Sequence, residues 1–178
     1  MAEDIAGVVL ENMMGRRSCR RFTTEQVADE QVEKVVDAGR WAPSGMGRQP
    51  VRFVVLRDAD AIKHLSHMNA SVMGTSGDPF YGAPTVIVVL ADPAAPTFVN
   101  DGSLAMGNML NEAHALGLGS CWIHRAKEEF ESPDGKALLR EWGLSEDLVG
   151  IGHCILGHPA DSGCKDAAER RGGTVVWV

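Results

Sequence analysis

The sequence of 178 residues is long enough for one domain with a sizeable core and short for two, so we expect a single domain spanning residues 1–178. Apolar residues make up 44% and charged residues 23%, a balance typical of a soluble globular protein. The formal net charge of -7 argues against a nucleic-acid partner, because binding polyphosphate requires a broad basic surface. No apolar run approaches the roughly 20 residues of a membrane span, and the first residues are acidic where a signal peptide is basic, so we expect a cytoplasmic protein without membrane association.

The first third of the chain predicts two helices and a strand. Residues 4–14 carry apolar side chains at helical spacing behind Asp4, a good capping residue. A second helix is predicted over residues 28–42 and ends before Pro43. The β-branched and aromatic run at residues 51–56 is typical of a strand.

The remaining elements alternate between helices and strands. They are helix 58–73, strand 84–92, helix 103–117, strand 120–123, helix 132–143 with Ser132 as its cap and Pro133 in its first turn, and strand 149–157. Because a helix or loop separates most strands, we expect a mixed α/β chain with helices on both faces of one sheet. Periodicity leaves the strand order open. The chain ends in an apolar tail, residues 174–178, which must dock somewhere to bury its side chains.

Several common catalytic and binding motifs are missing from the sequence. It contains no GxGxxG, GxxxxGK[ST] or GxSxG pattern, which argues against a Rossmann nicotinamide domain, P-loop nucleotide hydrolysis and the usual serine-hydrolase site. His64 and His67 lie near each other on one predicted helix but lack a third ligand of suitable spacing, so we expect no metal site. The cysteines form no CxxC pair, and we expect reduced thiols at Cys19, Cys121, Cys154 and Cys164.

The segment RRSCRRF, residues 16–22, concentrates positive charge in an acidic protein. Arg16 and Arg20 are four residues apart with Ser18 between them, so two guanidinium groups and a hydroxyl are available to one anion. The alternative is a solvated basic face, or ion pairs to the acidic helix at residues 28–37. A second basic pair, at residues 170–171, indicates a shared anionic ligand if the fold brings the two ends together.

A tight turn is predicted at APSGMGRQP, residues 42–50. Its proline, serine and glycines allow backbone N–H groups and the Ser44 hydroxyl to approach a planar ligand closely.

Taken in order, RRSCRRF, RWAPSGMGRQP, VRFVVL, YGAPTVIVVLAD, DGSLAMGNMLNEAHALGLGSCWI, ILGHP and the basic pair before TVVWV resemble the nitroreductase family of FMN enzymes. The resemblance runs from about residue 10 to the end of the chain. It implies an α+β, three-layer fold with a central, mostly antiparallel sheet flanked by helices. It also implies a homodimer with a shared active site, in which the C-terminal strand is exchanged.

The resemblance implies a set of FMN-binding residues. The arginine segment would hold the phosphate and the pyrimidine end of the ring, the turn at residues 43–49 would come from the second subunit, and residues 122–125 would cover the ring and offer a backbone N–H to it. Asn69 would touch the ring edge, and the C-terminal basic pair would close on the phosphate. The complete set is Arg16, Arg17, Ser18, Arg20, Pro43, Ser44, Gly45, Gln49, Asn69, Trp122, Ile123, His124, Arg125, Arg170 and Arg171.

The function implied by the resemblance is transfer of electrons from NAD(P)H to nitroaromatic, quinone or similar acceptors by a ping-pong mechanism. A fixed guanidinium, Arg16 or Arg20, would stabilise the negative charge that reduction places on the flavin. No conventional catalytic acid or base is required, although His124 is a candidate proton donor. Phe80 and Tyr81 either stack on aromatic acceptors or belong to the core. The alternatives are a specialised, dehalogenase-like flavin enzyme, a non-catalytic flavin- or anion-binding module, and a colourless protein whose arginines serve only surface ion pairs.

Overall fold

The computed structural model describes residues 4–161 and 163–178. Within them the elements are α1 (Ile5–Gly15), α2 (Asp29–Arg40), β1 (Val51–Leu56), α3 (Ala59–Met73), β2 (Thr85–Ala91), α4 (Phe98–Ala115), β3 (Gly119–Ile123), α5 (Ala126–Glu131), α6 (Pro133–Glu141) and β4 (Val149–Gly157). A short 3-10 turn, Gly45–Gly47, precedes β1. No helix in these residues is both long and apolar enough to cross a membrane.

The strands form one antiparallel sheet in the order β1-β2-β4-β3. Every residue of β2 is buried, as its unbroken apolar sequence predicts for a strand covered on both faces. Alternate β2 side chains enter two separate cores. Val88 joins a core with α3, α5 and α6, whereas Val89 joins a core with α2 and α4. The predicted three-layer α+β arrangement is therefore confirmed.

Local signals located most element boundaries correctly. The Asp4 carboxylate accepts a hydrogen bond from Gly7 N at 3.1 Å, and the Ser132 hydroxyl accepts one from Gly135 N at 3.0 Å. Helix α5 was not predicted, because its six residues are too few for a helical period to be recognised. Helix α4 begins at Phe98, five residues before the predicted start.

The sheet contains a bulge that brings α5 close to β4. The pairing of β2 with β4 shifts between Val89 and Leu90, opposite the segment from Gly150 to Gly152. At Gly150, a Cβ atom would lie 2.2 Å from the carbonyl oxygen of Ala126, the first residue of α5. Only glycine permits this approach, and it positions the loop that leads from β3 into α5.

Two apolar stretches remain exposed in the single chain. Helix α1 buries none of its residues, and Ile5 on its predicted apolar face is 73% exposed. The C-terminal tail forms no strand with its own sheet, and Trp177 is 93% exposed. Exposed apolar stretches of this extent are typical of surfaces that bind a partner.

Candidate cofactor site

The arginine-rich segment lies between the start of β3 and the C-terminal segment. The backbone N–H of Cys19 donates to Ser120 O, and that of Arg20 donates to Gly163 O, both at 2.9 Å. Further along, the N–H of Thr23 donates to the carbonyl of His158 at 2.9 Å. These bonds hold the N-terminal and C-terminal regions side by side, although they are far apart in sequence.

A basic pocket of about 230 Å³ results from this pairing. It is lined by Arg16, Arg17, Ser18, Arg20, Lys165, Asp166, Ala167, Ala168 and Arg170. The fold thus brings the N-terminal arginine segment and the C-terminal basic region together, which a shared anionic ligand requires. Arg171 does not line the pocket, whereas Lys165, which sequence reasoning missed, does. A single lysine between the two arginine clusters is not a recognisable sequence motif, and only the backbone pairing shows that it lines the pocket.

Three arginines of the basic pocket are available to a ligand. In the described part of the chain, the guanidinium groups of Arg16, Arg20 and Arg170 have no hydrogen-bond or ion-pair partner. The alternative of ion pairs to the acidic helix does not apply to Arg16 and Arg20, because the ion pairs of that helix in the described structure are Asp29 with Arg57 and Asp37 with Arg40.

Arg17 differs from its neighbours because it caps α1. Its Nη1 donates to the carbonyl oxygens of Met14 and Arg16 at 2.6 and 2.8 Å. A cation at a helix C-terminus satisfies the last carbonyls and opposes the helix dipole. Part of this guanidinium is therefore committed to the protein itself.

A second cavity, of about 400 Å³, adjoins the basic pocket through Arg20, which lines both. Its lining comprises Arg20, Met73, Thr75, Gly77, Asp78, Pro79, Tyr81, Cys121, Trp122, Ile123, His124 and Arg125. We call it the ring cavity, and all four residues of the predicted segment 122–125 line it. A charged pocket joined to a larger cavity with aromatic and apolar lining suits a ligand with an anionic end and a planar end.

Asn69 holds the loop that borders the ring cavity. The Asn69 side chain is fully buried. Its Nδ2 donates to His124 O at 2.8 Å, and its Oδ1 accepts from Arg125 Nε at 3.1 Å. The structure therefore gives Asn69 a positioning role, and direct contact with a ligand stays a prediction. Trp122 turns its indole into the α2–α4 core, which leaves its backbone for the cavity.

The opposite wall of the ring cavity is a turn organised by Asp78. Its carboxylate accepts hydrogen bonds from Phe80 N at 2.8 Å and from Gly82 N at 2.6 Å. The Ser66 hydroxyl donates to the same carboxylate at 2.6 Å. Phe80 is 1% exposed and belongs to the core, whereas Tyr81 is 43% exposed and lines the cavity. The Asp-Pro pair at residues 78–79 is a turn signal that sequence reasoning could have used.

The predicted turn at residues 42–50 lines a different cavity, of about 580 Å³, that shares no residue with the ring cavity. Pro43, Ser44 and Gln49 are among its lining residues. Gly45 N donates to the buried carboxylate of Asp101 at 3.0 Å, which attaches the turn to α4. The Ser44 hydroxyl accepts from Gln49 N at 3.0 Å. The single chain therefore does not bring this turn to the arginines.

Backbone strain is concentrated in the predicted site segments. Among the described residues, the non-glycine residues with positive φ are Met46, Gln49, Tyr81 and Arg125, at 55°, 49°, 55° and 77°. All of them belong to the turn at 42–50 or line the ring cavity. Such conformations are costly and are retained mainly at functional sites. His64 and His67 lie elsewhere, and no three metal-ligating side chains come together in residues 4–161 and 163–178.

Comparison with known proteins identifies relatives over most of the chain. The model of the nitroreductase family matches residues 13–79 and 67–158. A protein from Archaeoglobus fulgidus is 34% identical over 165 residues, covering 90% of this chain and 89% of that protein. It bears the name NADH dehydrogenase/NAD(P)H nitroreductase as a provisional assignment. The FMN reductase [NAD(P)H] of Bacillus subtilis is 23% identical, covering 88% of this chain and 68% of that protein.

Solved structures show the same similarity. A Bacteroides fragilis nitroreductase with bound FMN superposes with a TM-score of 0.88 at 25% identity, covering 96% of this chain and 98% of that one. An FMN-dependent nitroreductase from Clostridium difficile gives a TM-score of 0.81 at 27% identity, with 96% and 98% coverage.

Proposed function

The chain belongs to the nitroreductase family, and from this premise we propose that it is an FMN-dependent oxidoreductase that uses NAD(P)H to reduce nitroaromatic, quinone or similar electron-poor acceptors. The observation that carries the proposal is the basic pocket, in which Arg16 and Arg20 have no protein partner among the described residues, joined through Arg20 to the ring cavity. Family membership supports an oxidoreductase in general, and the site geometry supports the cofactor.

The residues present fit an FMN phosphate. A phosphate carries close to two negative charges, and its burial requires more than one cation and several donors. Arg16, Arg20, Lys165 and Arg170 would provide the charge, and Ser18 would add a hydroxyl donor. Arg17 would contribute charge from its position at the end of α1, and Arg171 would act only through longer-range attraction.

The ring cavity would hold the flavin ring. Arg20 lies where the two cavities meet, so its charge would stabilise negative charge on the adjoining part of the ring. Residues 122–125 would cover the ring, and the Asn69 bonds would keep this backbone in place. When bound, FMN supplies the transfer of an electron pair from NAD(P)H to the acceptor.

Donor and acceptor would use the ring cavity in turn, which is ping-pong kinetics. Tyr81 borders this cavity and is exposed enough to stack on an aromatic acceptor. His124 is exposed and is the one histidine among the described residues that lines the cavity, so its ring can exchange protons between solvent and acceptor.

The active protein would be a homodimer with two shared sites. The turn at residues 42–50 is strained and hydrogen-bonded to α4, yet in the single chain it lies apart from Arg16 and Arg20. A partner subunit would bring its own turn to the ring cavity, with contacts from Pro43, Ser44, Gly45 and Gln49. The exposed face of α1 and the exposed tail would then be buried against the partner.

The proposal is tested by the visible spectrum of the purified protein and by release of its chromophore on denaturation. We expect flavin bands in the native protein and free FMN in the supernatant after unfolding. Steady oxidation of NAD(P)H with a quinone or nitroaromatic separates an enzyme from a non-catalytic binding module. A protein that stays colourless after incubation with FMN contradicts the proposal.

Replacement of Arg20 tests the site itself. Arg20→Ala removes the cation shared by the two cavities, so we expect weaker flavin retention than in the parent. Arg140→Ala is the matched control, because Arg140 is exposed, lies on α6 and lines neither cavity. Equal flavin retention in both variants would exclude Arg20 from the site.

A further inference from the structure

Cys19 and Cys164 face each other across an isolated antiparallel bridge. The N–H of Arg20 donates to Gly163 O at 2.9 Å, which places the cysteines in the non-hydrogen-bonded register. In that register, opposite Cα atoms are about 4.5 Å apart and the side chains approach closely. Disulfides form between residues whose Cα atoms are about 4.4–6.8 Å apart. The backbone therefore already provides the spacing that a disulfide needs.

The Cys19 sulfur lies against the residue that precedes Cys164. A Cβ atom at Gly163 would lie 2.9 Å from Cys19 Sγ, and this thiol donates to Arg21 O at 3.3 Å. Cys19 is fully buried, whereas Cys164 is exposed. A reagent in solution can therefore reach Cys164, and Cys19 is its buried neighbour across the bridge.

The cysteines belong to opposite walls of the basic pocket. Cys19 is flanked by Ser18 and Arg20, and Cys164 is followed by Lys165. Ser18, Arg20 and Lys165 all line the basic pocket. A bond between the sulfurs would join the N-terminal wall covalently to the C-terminal wall.

We infer that Cys19 and Cys164 form a disulfide site that locks the two walls of the basic pocket together. The part of this inference that concerns the cofactor rests on the proposed function. The oxidant is a small-molecule disulfide. The Cys164 thiolate attacks one of its sulfurs and releases the first small thiol, forming a mixed disulfide. The Cys19 sulfur then attacks Cys164 and releases the second thiol, so two protein thiols are oxidised, the reagent is reduced to two thiols, and both protons leave with them.

The other cysteines provide an internal control. Cys121 and Cys154 are near each other in the paired strands β3 and β4, and both are buried. Their side chains enter different cores, because Cys121 belongs to the one with α3, α5 and α6 and Cys154 to the one with α2 and α4. The sheet separates them, so they cannot form a bond without disrupting it.

In the test, the purified protein is incubated with oxidised glutathione at about pH 9, where more of the Cys164 thiol is ionised than at neutral pH. Disulfide-linked peptides are then mapped by mass spectrometry. We expect a Cys19–Cys164 linkage, no Cys121–Cys154 linkage, and a melting temperature raised by about 5–15 °C. Reductant should reverse both changes. Cys164→Ser should show neither. A stable glutathione adduct on Cys164, or a Cys164 linkage between two copies, overturns the inference.

Flavin release tests the locking of the walls. We expect the oxidised protein to release FMN at least several-fold more slowly than the reduced protein, because opening the pocket requires the walls to separate. Equal release rates from a protein shown to be linked overturn the locking. If neither form binds FMN, the proposed function fails. The peptide linkage and the shift in melting temperature still test whether Cys19 and Cys164 form a disulfide.

Discussion

A carboxylate and an imidazole are buried together beside the core with α3, α5 and α6, and removing the carboxylate should destabilise the protein strongly. Glu129 of α5 and His153 of β4 are 1% and 0% exposed, and Glu129 Oε2 contacts His153 Nε2. The imidazole lies between the rings of Phe80 and Phe130, with centroids 5.1 and 6.3 Å away. In the described structure, Glu129 Oε1 and His153 Nδ1 have no hydrogen-bond partner. Each group therefore depends on the other for its one polar contact.

Glu129→Leu leaves the imidazole without this partner in an apolar core. Loss of one member of a buried polar or ionic pair costs about 2–5 kcal/mol. For a chain of this size, each kcal/mol lowers the melting temperature by about 2–4 °C, so we expect a decrease of about 4–20 °C. Glu129→Gln should cost less, because the amide can still bond to the ring.

Thermal and urea unfolding of the variants measure this effect. Glu131→Leu is the matched control, since it makes the same replacement on the same helix in an exposed pair with Lys127. We expect the control to cost less than about 1 kcal/mol. Equal stability of Glu129→Leu and Glu131→Leu would refute the reasoning.

Three other predictions concern packing, pH and assembly. Gly150→Ala forces a Cβ against Ala126 O, so it should destabilise the protein by about 1–3 kcal/mol in urea unfolding and weaken flavin binding. The control is Gly107→Ala on α4, where the added Cβ meets open space, and it should be neutral or stabilising in the same assay. Burial, and to a lesser extent Cys121, raises the pKa of the Cys154 thiol from 9.0 to about 12. Because the unfolded thiol ionises first, the stability should be unaffected by this group below pH 9 and should fall between pH 9 and 12, by at most about 1.4 kcal/mol per pH unit. Urea unfolding of Cys154→Ala across that range should show a smaller decrease, and an unchanged decrease would exclude Cys154 as its source. Deletion of residues 174–178 should shift the protein from dimer to monomer in analytical ultracentrifugation, and a dimer of unchanged affinity would show that the tail is not part of the interface.

Local structure and family membership could be predicted from the sequence, because their signals lie within short stretches of chain. Asp4 and Ser132 cap the helices that they were predicted to begin, and the apolar run of β2 is buried on both faces. The ordered motifs from residue 16 to the C-terminus identified the family. In each case, neighbouring residues carry the information, through capping hydrogen bonds, side-chain periodicity or a sequence of motifs.

Contacts between residues that are distant in the sequence were decided only by the tertiary structure. The sheet order β1-β2-β4-β3 and the contact of residues 19–23 with residues 158–160 and 163–164 bring Lys165 to Arg20 and set Cys164 opposite Cys19. No local pattern encodes these contacts, because they depend on the free energy of burying both cores at once. For the same reason, the Asn69 side chain binds the loop at His124, a contact that its own helix does not indicate. The sequence by itself determined most of the elements and the kinds of residue at the site, and the packing of the whole chain determined which of those residues meet.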